Sequence, residues 1–315
     1  MTSVSSPAGA AADLHTERRR RSRRRVTSAR SRLVFAMPAA LALLALSIYP
    51  LVQLVRMSLS EVTAGTVNRA WPSTGVENFR RLLAEPTLSE VIGNTLLFVV
   101  VVTVLGVVLG LGAALALRTR TIGSSALLAL MVFVWALPPV VNGSIWRFLL
   151  SDRGLVNEVL RDVGLTEAGL PFLFNDSYAL LSVAIVNAWA VVPFNALVFR
   201  SALLSVPDEV LEAAAVDGAN RWQEIRHILV PQARATAVVL AILTVVYAFR
   251  SFDFIYVMTS GGPGTATTTL PYLAFVQSFI RYDYGLGAAT AVVSLAVVLV
   301  IGLLYARDAR ARDGA

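Results

Sequence analysis

Long apolar runs separated by short polar interruptions set the pattern of this chain. Six runs stand out: about Leu33–Val55, Thr95–Leu117, Ser124–Val141, Tyr178–Phe199, Thr236–Met258 and Leu286–Tyr305. Each approaches the roughly 20 apolar residues that a helix needs to cross the hydrocarbon core of a bilayer. The pattern predicts an all-α polytopic membrane protein with six transmembrane helices in one domain, residues 33–307. Pro138-Pro139 breaks the third run near its end and predicts a bent helix there. Residues 1–32 are polar and show no apolar period, which predicts a disordered tail. Residues 308–315 form a short polar C-terminal tail. The run from Leu33 is too long for a signal-peptide core and no A-x-A site follows it, so it is expected to stay as a helix.

The longest polar interruption in the C-terminal half is Ser205–Gln232, SVPDEVLEAAAVDGANRWQEIRHILVPQ. It reads as two short helices within a loop of about 200–235. Pro207 suits a helix start, with Asp208 and Glu209 at the positive end of the dipole. Leu211, Ala214 and Ala215 give a small apolar face. Gly218 can take φ > 0 and end the first helix. Asn220 can cap a second helix carrying Trp222, Ile225 and Leu229, which Pro231 is expected to stop. A knob with an alanine face suits close docking on another protein.

Composition agrees with a membrane protein. Of 315 residues, 56% are hydrophobic and 15% charged, against about a quarter charged in soluble domains. The mean hydropathy is +0.68. There is no cysteine, which excludes disulfides and thiolate metal sites. The net charge of +7 comes from 27 Arg with no Lys. A Walker A loop needs a lysine on the nucleotide phosphates, so this chain cannot form one.

Charge also orients the helices. The eight-residue stretch Arg18 to Arg25 holds seven arginines. Beside a first span, such a run is expected to hold the N-terminus in the cytoplasm and touch anionic lipid, rather than act as a nucleic-acid arm. With that start, inner segments hold 18 Arg, and outer segments hold eight with ten acidic residues. Both termini and the knob are therefore expected to be cytoplasmic.

No catalytic constellation is present. His15 lies in the tail and His227 in the knob, and they cannot form a metal site together. Glu224 and His227 share a helix face as a solvated pair. No Ser-His-Asp, H-E-x-x-H or glycine-rich nucleotide pattern occurs. Polar groups inside the spans carry more information, because burying them in lipid is costly. The fourth run offers Asn187, Trp189 and Asn195 around Pro193. The fifth offers Thr244, Tyr247, Arg250, Ser251 and Asp253, with Thr244, Tyr247 and Ser251 on one helical face. Hydroxyls, amides and aromatic rings suit a sugar, and they suit helix–helix packing equally. Arg250 and Asp253 are placed to neutralise each other.

Glu212-Ala213-Ala214, Gly218, Ile228 and Pro231 resemble the EAA loop of ABC importer permeases: EAA, three residues, G, nine residues, I-x-L-P. Val230 stands where Leu is usual. Gly75, Asn78-Phe79 and Asn94-Thr95 look like the G-x-x-N-F…N-T pattern of the sugar permeases in that family; as physics, the first part reads as a short amphipathic helix at the interface. Thr259, Gly261-Gly262 and Pro263 resemble the T-x-GGP element of the maltose-type subset. The resemblance covers about Leu33 to Arg307. It implies one permease subunit of a bacterial ABC sugar importer in the cell membrane, with a second permease, two ATP-binding subunits and an extracytoplasmic solute-binding protein as partners. ATP and Mg would be held by the partner ATPase, and this chain would bind no cofactor and be no enzyme. The implied coupling residues are Glu212, Ala213, Ala214, Asp217, Gly218 and Pro231. Gly261, Gly262 and Pro263 would face the binding protein. A substrate lining carried over from the family's maltose permease falls on Asn187, Val191, Phe194, Thr244, Ala248 and Ser251. Tyr247 joins it by its own chemistry, while Val191 and Ala248 are apolar and weak. A non-sugar solute such as glycerol phosphate stays open. An ion-driven secondary transporter is the other reading, but it would usually show inverted repeats. A membrane-anchored protein that interacts through its Arg tail is a third.

Overall fold

The computed structural model describes residues 37–38, 41–119 and 121–313. The expected basic tail, residues 1–32, lies outside them. The described chain is helical, with two isolated β-bridges, Ser60–Ser73 and Thr63–Asp283. It divides into two compact units, one up to Arg56 and one from Met57 onward. The first carries most of α1, Leu41–Ser58, an apolar helix with few buried side chains.

The second unit contains α2 (Glu77–Leu83), α3 (Leu88–Ala116), α4 (Ile122–Ala136), α5 (Pro139–Leu149), α6 (Leu155–Asp162), α7 (Ala179–Leu203) and α8 (Asp208–Val216). α9 (Arg221–Gln232), α10 (Arg234–Arg250), α11 (Asp253–Met258), α12 (Leu270–Ile280) and α13 (Tyr284–Asp313) complete it. Among the described residues, three helices, α1, α3 and α7, are long and apolar enough to cross a membrane. Two bent pairs, α4 with α5 and α9 with α10, bring the number to five. α13 is apolar over Tyr284–Val300, so the set is consistent with six crossings.

Two expected spans differ in detail. The third does not end at Val141. α4 stops at Ala136, Leu137 and Pro138 are extended, and α5 leaves at 101° and runs on to Leu149. A residue before proline is driven out of the helical region, and here two prolines follow one another. The fifth span does not continue to Met258. α10 stops at Arg250, Ser251 has ψ 87°, and α11 restarts at Asp253. Neither glycine nor proline marks that break.

α3 and α7 form the centre. In a bilayer, helices associate by close packing because lipid is as apolar as their side chains, so small residues mark the contacts. A Cβ at Gly106 would lie 2.8 Å from Val191 Cγ1, and one at Gly110 would lie 2.6 Å from Asn195 Cβ. Glycine at both positions lets α7 approach α3 closely. One apolar cluster gathers Phe98, Val102, Val183, Phe254, Met258 and Leu270 toward the α2–α12 end. A second gathers Ala114, Phe199, Leu203, Leu229, Ala233 and Leu240 toward the knob.

Candidate functional site: a helical knob, two polar helix pairs and a glycine loop

The polar interruption folds as the expected knob. α8 starts after Pro207, at φ −59°, with Asp208 and Glu209 in its first turn. It ends at Gly218, whose φ is +84°. The Gly218 N–H reaches the Ala215 carbonyl at 3.1 Å and the Ala219 N–H reaches the Ala214 carbonyl at 2.9 Å, which closes the helix end. A Cβ at Gly218 would meet nothing within 4 Å. Conformation, not crowding, therefore demands glycine there. Asn220 Oδ1 accepts from the Gln223 N–H at 3.0 Å, and Gln223 Oε1 accepts from the Asn220 N–H at 2.8 Å. This reciprocal cap starts α9.

Pro231 does not stop α9 as expected. The helix passes through a π-helical turn, Ile225–Leu229, and continues to Gln232. Proline cannot donate to the carbonyl four residues back and its ring crowds that carbonyl. The wider π turn just before it, in which the Val230 N–H bonds the Ile225 carbonyl, takes up that mismatch. α9 then bends by 63° into α10.

Glu212, Ala213, Asp217 and Gly218 are exposed, while Ala214 and Pro231 are half-buried. Ala214, Asp217 and Gly218 line one shallow groove of about 350 Å³ with Gln223, His227 and Ile228. Glu212 takes part in none of the ion pairs of the described residues. Two apolar side chains also project from the knob, Val216 at 88% exposure and Trp222 at 67%. His227 Nδ1 lies 3.1 Å from the Gln223 carbonyl. The root of the knob is firmly held. Leu211, Ile225 and Ile228 pack on the cluster of Phe199, Leu203, Leu229 and Leu240. Arg200 Nε donates to the Leu117 carbonyl at 2.8 Å, placing a cation at the negative end of α3.

Inside the helices, Asn187 and Asn195 are fully buried, each at 0% exposure. Asn187 Nδ2 donates to Ser251 Oγ, and Asn195 Nδ2 donates to Thr244 Oγ1 at 3.2 Å. Asn187 Oδ1 has no partner among the described atoms. Phe194 is half-buried and stacks on Trp135 at 5.5 Å. Tyr247 is half-buried, and Val191 and Ala248 lie in the core. The structure therefore brings Asn187 to Ser251 and Asn195 to Thr244 across two helix contacts. Ser251 directly follows the last residue of α10, yet it meets α7 as Thr244 does, and its side chain hydrogen-bonds Tyr247. The same break separates Arg250 from Asp253, and they form none of the ion pairs of the described residues.

At the opposite end from the knob, Thr259–Thr269 form a folded loop. Ser260, Gly261 and Gly264 have φ of 54°, 85° and 53°, and the Gly262–Pro263 peptide is cis. Gly261 is buried; a Cβ there would lie 2.5 Å from Tyr272 Cε1. Thr268 Oγ1 donates to the Gly261 carbonyl at 3.1 Å and Thr267 Oγ1 to the Gly262 carbonyl at 2.9 Å. Gly262 and Pro263 are half-buried and Gly264 is exposed. Sequence reasoning missed what holds this loop: Thr265 Oγ1 donates to Glu90 Oε2 at 2.8 Å, and Asn94 Nδ2 donates to the Thr265 and Thr268 carbonyls at 3.1 and 3.3 Å. Asn78, on the expected amphipathic helix α2, donates to the Ser58 and Ser60 carbonyls at 3.1 and 2.9 Å. Arg81 pairs with Asp283 at 2.7 Å.

A family model described as "Binding-protein-dependent transport system inner membrane component" matches residues 106–312. The chain is 31% identical over 242 residues to the trehalose/maltose transport system permease protein MalF of Thermococcus litoralis, spanning 76% of this chain and 81% of that one. It is 30% identical over 277 residues to the sulfoquinovosyl glycerol transport system permease protein SmoG of Agrobacterium fabrum, spanning 88% of this chain and 89% of that one. A solved bacterial ABC transporter involved in the import of the acidic polysaccharide alginate superposes with a TM-score of 0.76 at 23% identity, over 89% of this chain and 96% of that one. At that identity the likeness is one of fold.

Proposed function

The chain belongs to the family of binding-protein-dependent transport system inner membrane components, and we propose that it forms half of the translocation pathway of an ATP-driven sugar importer. It is a multi-pass membrane protein and a transport component. The proposed assembly has a second permease subunit, two ATP-binding subunits and an extracytoplasmic solute-binding protein. A sugar or sugar-like solute is supported by the relatives, which are named for trehalose/maltose and sulfoquinovosyl glycerol.

The observation that carries this reading is the knob: an exposed, small-residue surface on a root packed into the helix core. ATP and Mg would sit on the partner ATPase, since this chain has no lysine for a phosphate loop. Closure of the ATPase dimer would push on α8. Glu212, exposed and free of any ion pair among the described residues, would meet a cation on that partner. Ala213, Ala214 and Gly218 allow close approach, and Asp217 lies on the groove edge. Pro231 lies at the root, where α9 turns into α10. Because Leu211, Ile225 and Ile228 pack on Phe199, Leu203 and Leu240, displacement of the knob would move the ends of α7 and α10 together.

Those two helices carry the proposed pathway groups. Asn187 with Ser251 and Asn195 with Thr244 would hold its wall. Phe194 and Tyr247, half-buried, would offer ring faces and a hydroxyl to a sugar. Gly261, Gly262 and Pro263 would lie in the loop that meets the binding protein.

The test is purification of the tagged subunit from solubilised membranes, with mass spectrometry and an ATPase assay of what accompanies it. Recovery of a second multi-span protein and a Walker A ATPase is the expected result. A lone subunit that transports in liposomes without ATP would overturn the proposal.

A further inference from the structure

The pair Asn94-Thr95 and the glycine loop stand far apart in sequence, and neither has a local reason to need the other. In the structure they form one unit. Asn94 Nδ2 donates to two loop carbonyls, Thr265 at 3.1 Å and Thr268 at 3.3 Å. One residue on, Thr95 Oγ1 accepts from the Leu270 N–H at 2.9 Å. Leu270 opens α12, whose own N-cap residue Thr269 makes no side-chain cap. Thr95 therefore supplies from α3 the acceptor that the start of α12 lacks. Thr95 is itself fixed by donating to the Val91 carbonyl at 2.6 Å.

The chemistry of Asn94 suits its two bonds. A carbonyl-rich turn needs donors. A neutral amide offers two N–H groups from one nitrogen, whereas a carboxylate offers none. Ser260 holds a left-handed φ of 54°, a conformation that is costly for a non-glycine residue, so surrounding contacts must hold it in place. Glu90, Asn94, Asp176, Pro263, Gly264 and Thr265 line a concavity of about 500 Å³.

We propose that Asn94 is the positioning residue of this loop: it fixes the Thr265 and Thr268 carbonyls so that Pro263 and Gly264 are offered to the solute-binding protein in a single conformation. This rests on the reading that the loop meets that protein. A loop held in its bound shape avoids ordering costs on association. Losing the anchor should therefore weaken docking and leave the turnover of a docked complex intact.

The test uses Asn94→Asp, nearly the same size but with an acceptor in place of the donor, and Asn94→Gln, which keeps the donor. Hydrogen exchange of the loop amides, read by mass spectrometry on the intact complex, should accelerate about tenfold in Asn94→Asp, the order expected for losing one or two net hydrogen bonds. In proteoliposomes, the concentration of the co-purified binding protein that half-maximally stimulates ATP hydrolysis should rise by a similar factor. The maximal rate should not change. Asn94→Gln should recover part of both effects. A merely structural role would instead lower yield and maximal rate with half-saturation unchanged, and that result overturns the proposal, as does unaltered exchange in Asn94→Asp. If the wild-type complex shows no stimulation by the binding protein, the partner assigned to the loop is what fails; accelerated exchange in Asn94→Asp would then still establish the anchor.

Discussion

Asn195 on α7 and Thr244 on α10 hold each other by two contacts, Nδ2 to Oγ1 at 3.2 Å and Oγ1 to Oδ1 at 3.4 Å, with both side chains buried. The pair sits opposite Gly106 and Gly110 of α3, so three helices meet where the amide is satisfied. Polar pairs between membrane helices contribute about 0.6 kcal/mol on average and up to about 1.7. Asn195→Ala and Thr244→Val should each lower the thermal midpoint in detergent slightly, and the double variant should cost less than the sum. A fully additive double variant would show that the two do not interact.

Gly110 tests the packing of the same contact. A Cβ there would lie 2.6 Å from Asn195 Cβ and 3.3 Å from the Ala196 nitrogen. Backbone cannot move aside cheaply, so Gly110→Ala should destabilise by about 1–3 kcal/mol. Gly112, on the same helix, has nothing within 4 Å of such a Cβ. Gly112→Ala should therefore leave the midpoint unchanged or raise it, because alanine favours a helix interior. Equal effects of the two substitutions would refute the close approach of α3 and α7.

Coupling can be separated from folding at the knob. Glu212 is exposed, so Glu212→Lys should not alter the midpoint or membrane insertion, yet uptake should fall to background. Gly218→Pro, whose ring cannot adopt φ +84°, should also abolish uptake by spoiling the turn while the subunit still inserts. Gly218→Ala, which meets no atom but must adopt φ +84°, should cost about 1–2 kcal/mol locally and reduce uptake less than proline does. Normal uptake in both Glu212→Lys and Gly218→Pro would remove the coupling role.

The glycine loop makes the opposite prediction about side-chain space. Gly261→Ala brings a methyl to 2.5 Å from Tyr272 Cε1 and 2.9 Å from Thr268 Oγ1, at φ 85°. Both the conformation and the crowding oppose it. Binding-protein-stimulated hydrolysis should fall, while the basal rate of the complex stays within about twofold, a difference near 0.4 kcal/mol. A wild-type response to the binding protein would show that the loop is not part of that contact.

Much of the knob was legible in the chain because its signals are local. Pro207, Gly218 and Asn220 each fix φ or supply an acceptor within three residues of where they act, and the observed cap distances of 2.8 and 3.0 Å at Asn220 follow from that neighbourhood alone. Pro231 shows the limit of the same reasoning. Its missing N–H is a local fact, but whether the helix stops or widens depends on what covers it. Here Leu229 and Ala233 on either side are buried in the core cluster, and a π turn keeps the helix continuous.

The sequence by itself determined the apolar helical character, the absence of a phosphate-binding lysine and the caps of the knob helices. These depend on periodicity and composition, which each stretch carries alone. Only the tertiary structure decided where α10 breaks, since Ser251 is marked by no glycine or proline and is held by Asn187 from α7. Only it decided that Asn94 would grip a carbonyl 171 residues away. A hydroxyl or amide in a span announces that it needs a partner; which partner it finds is set by the packing that brings two distant segments within hydrogen-bonding reach.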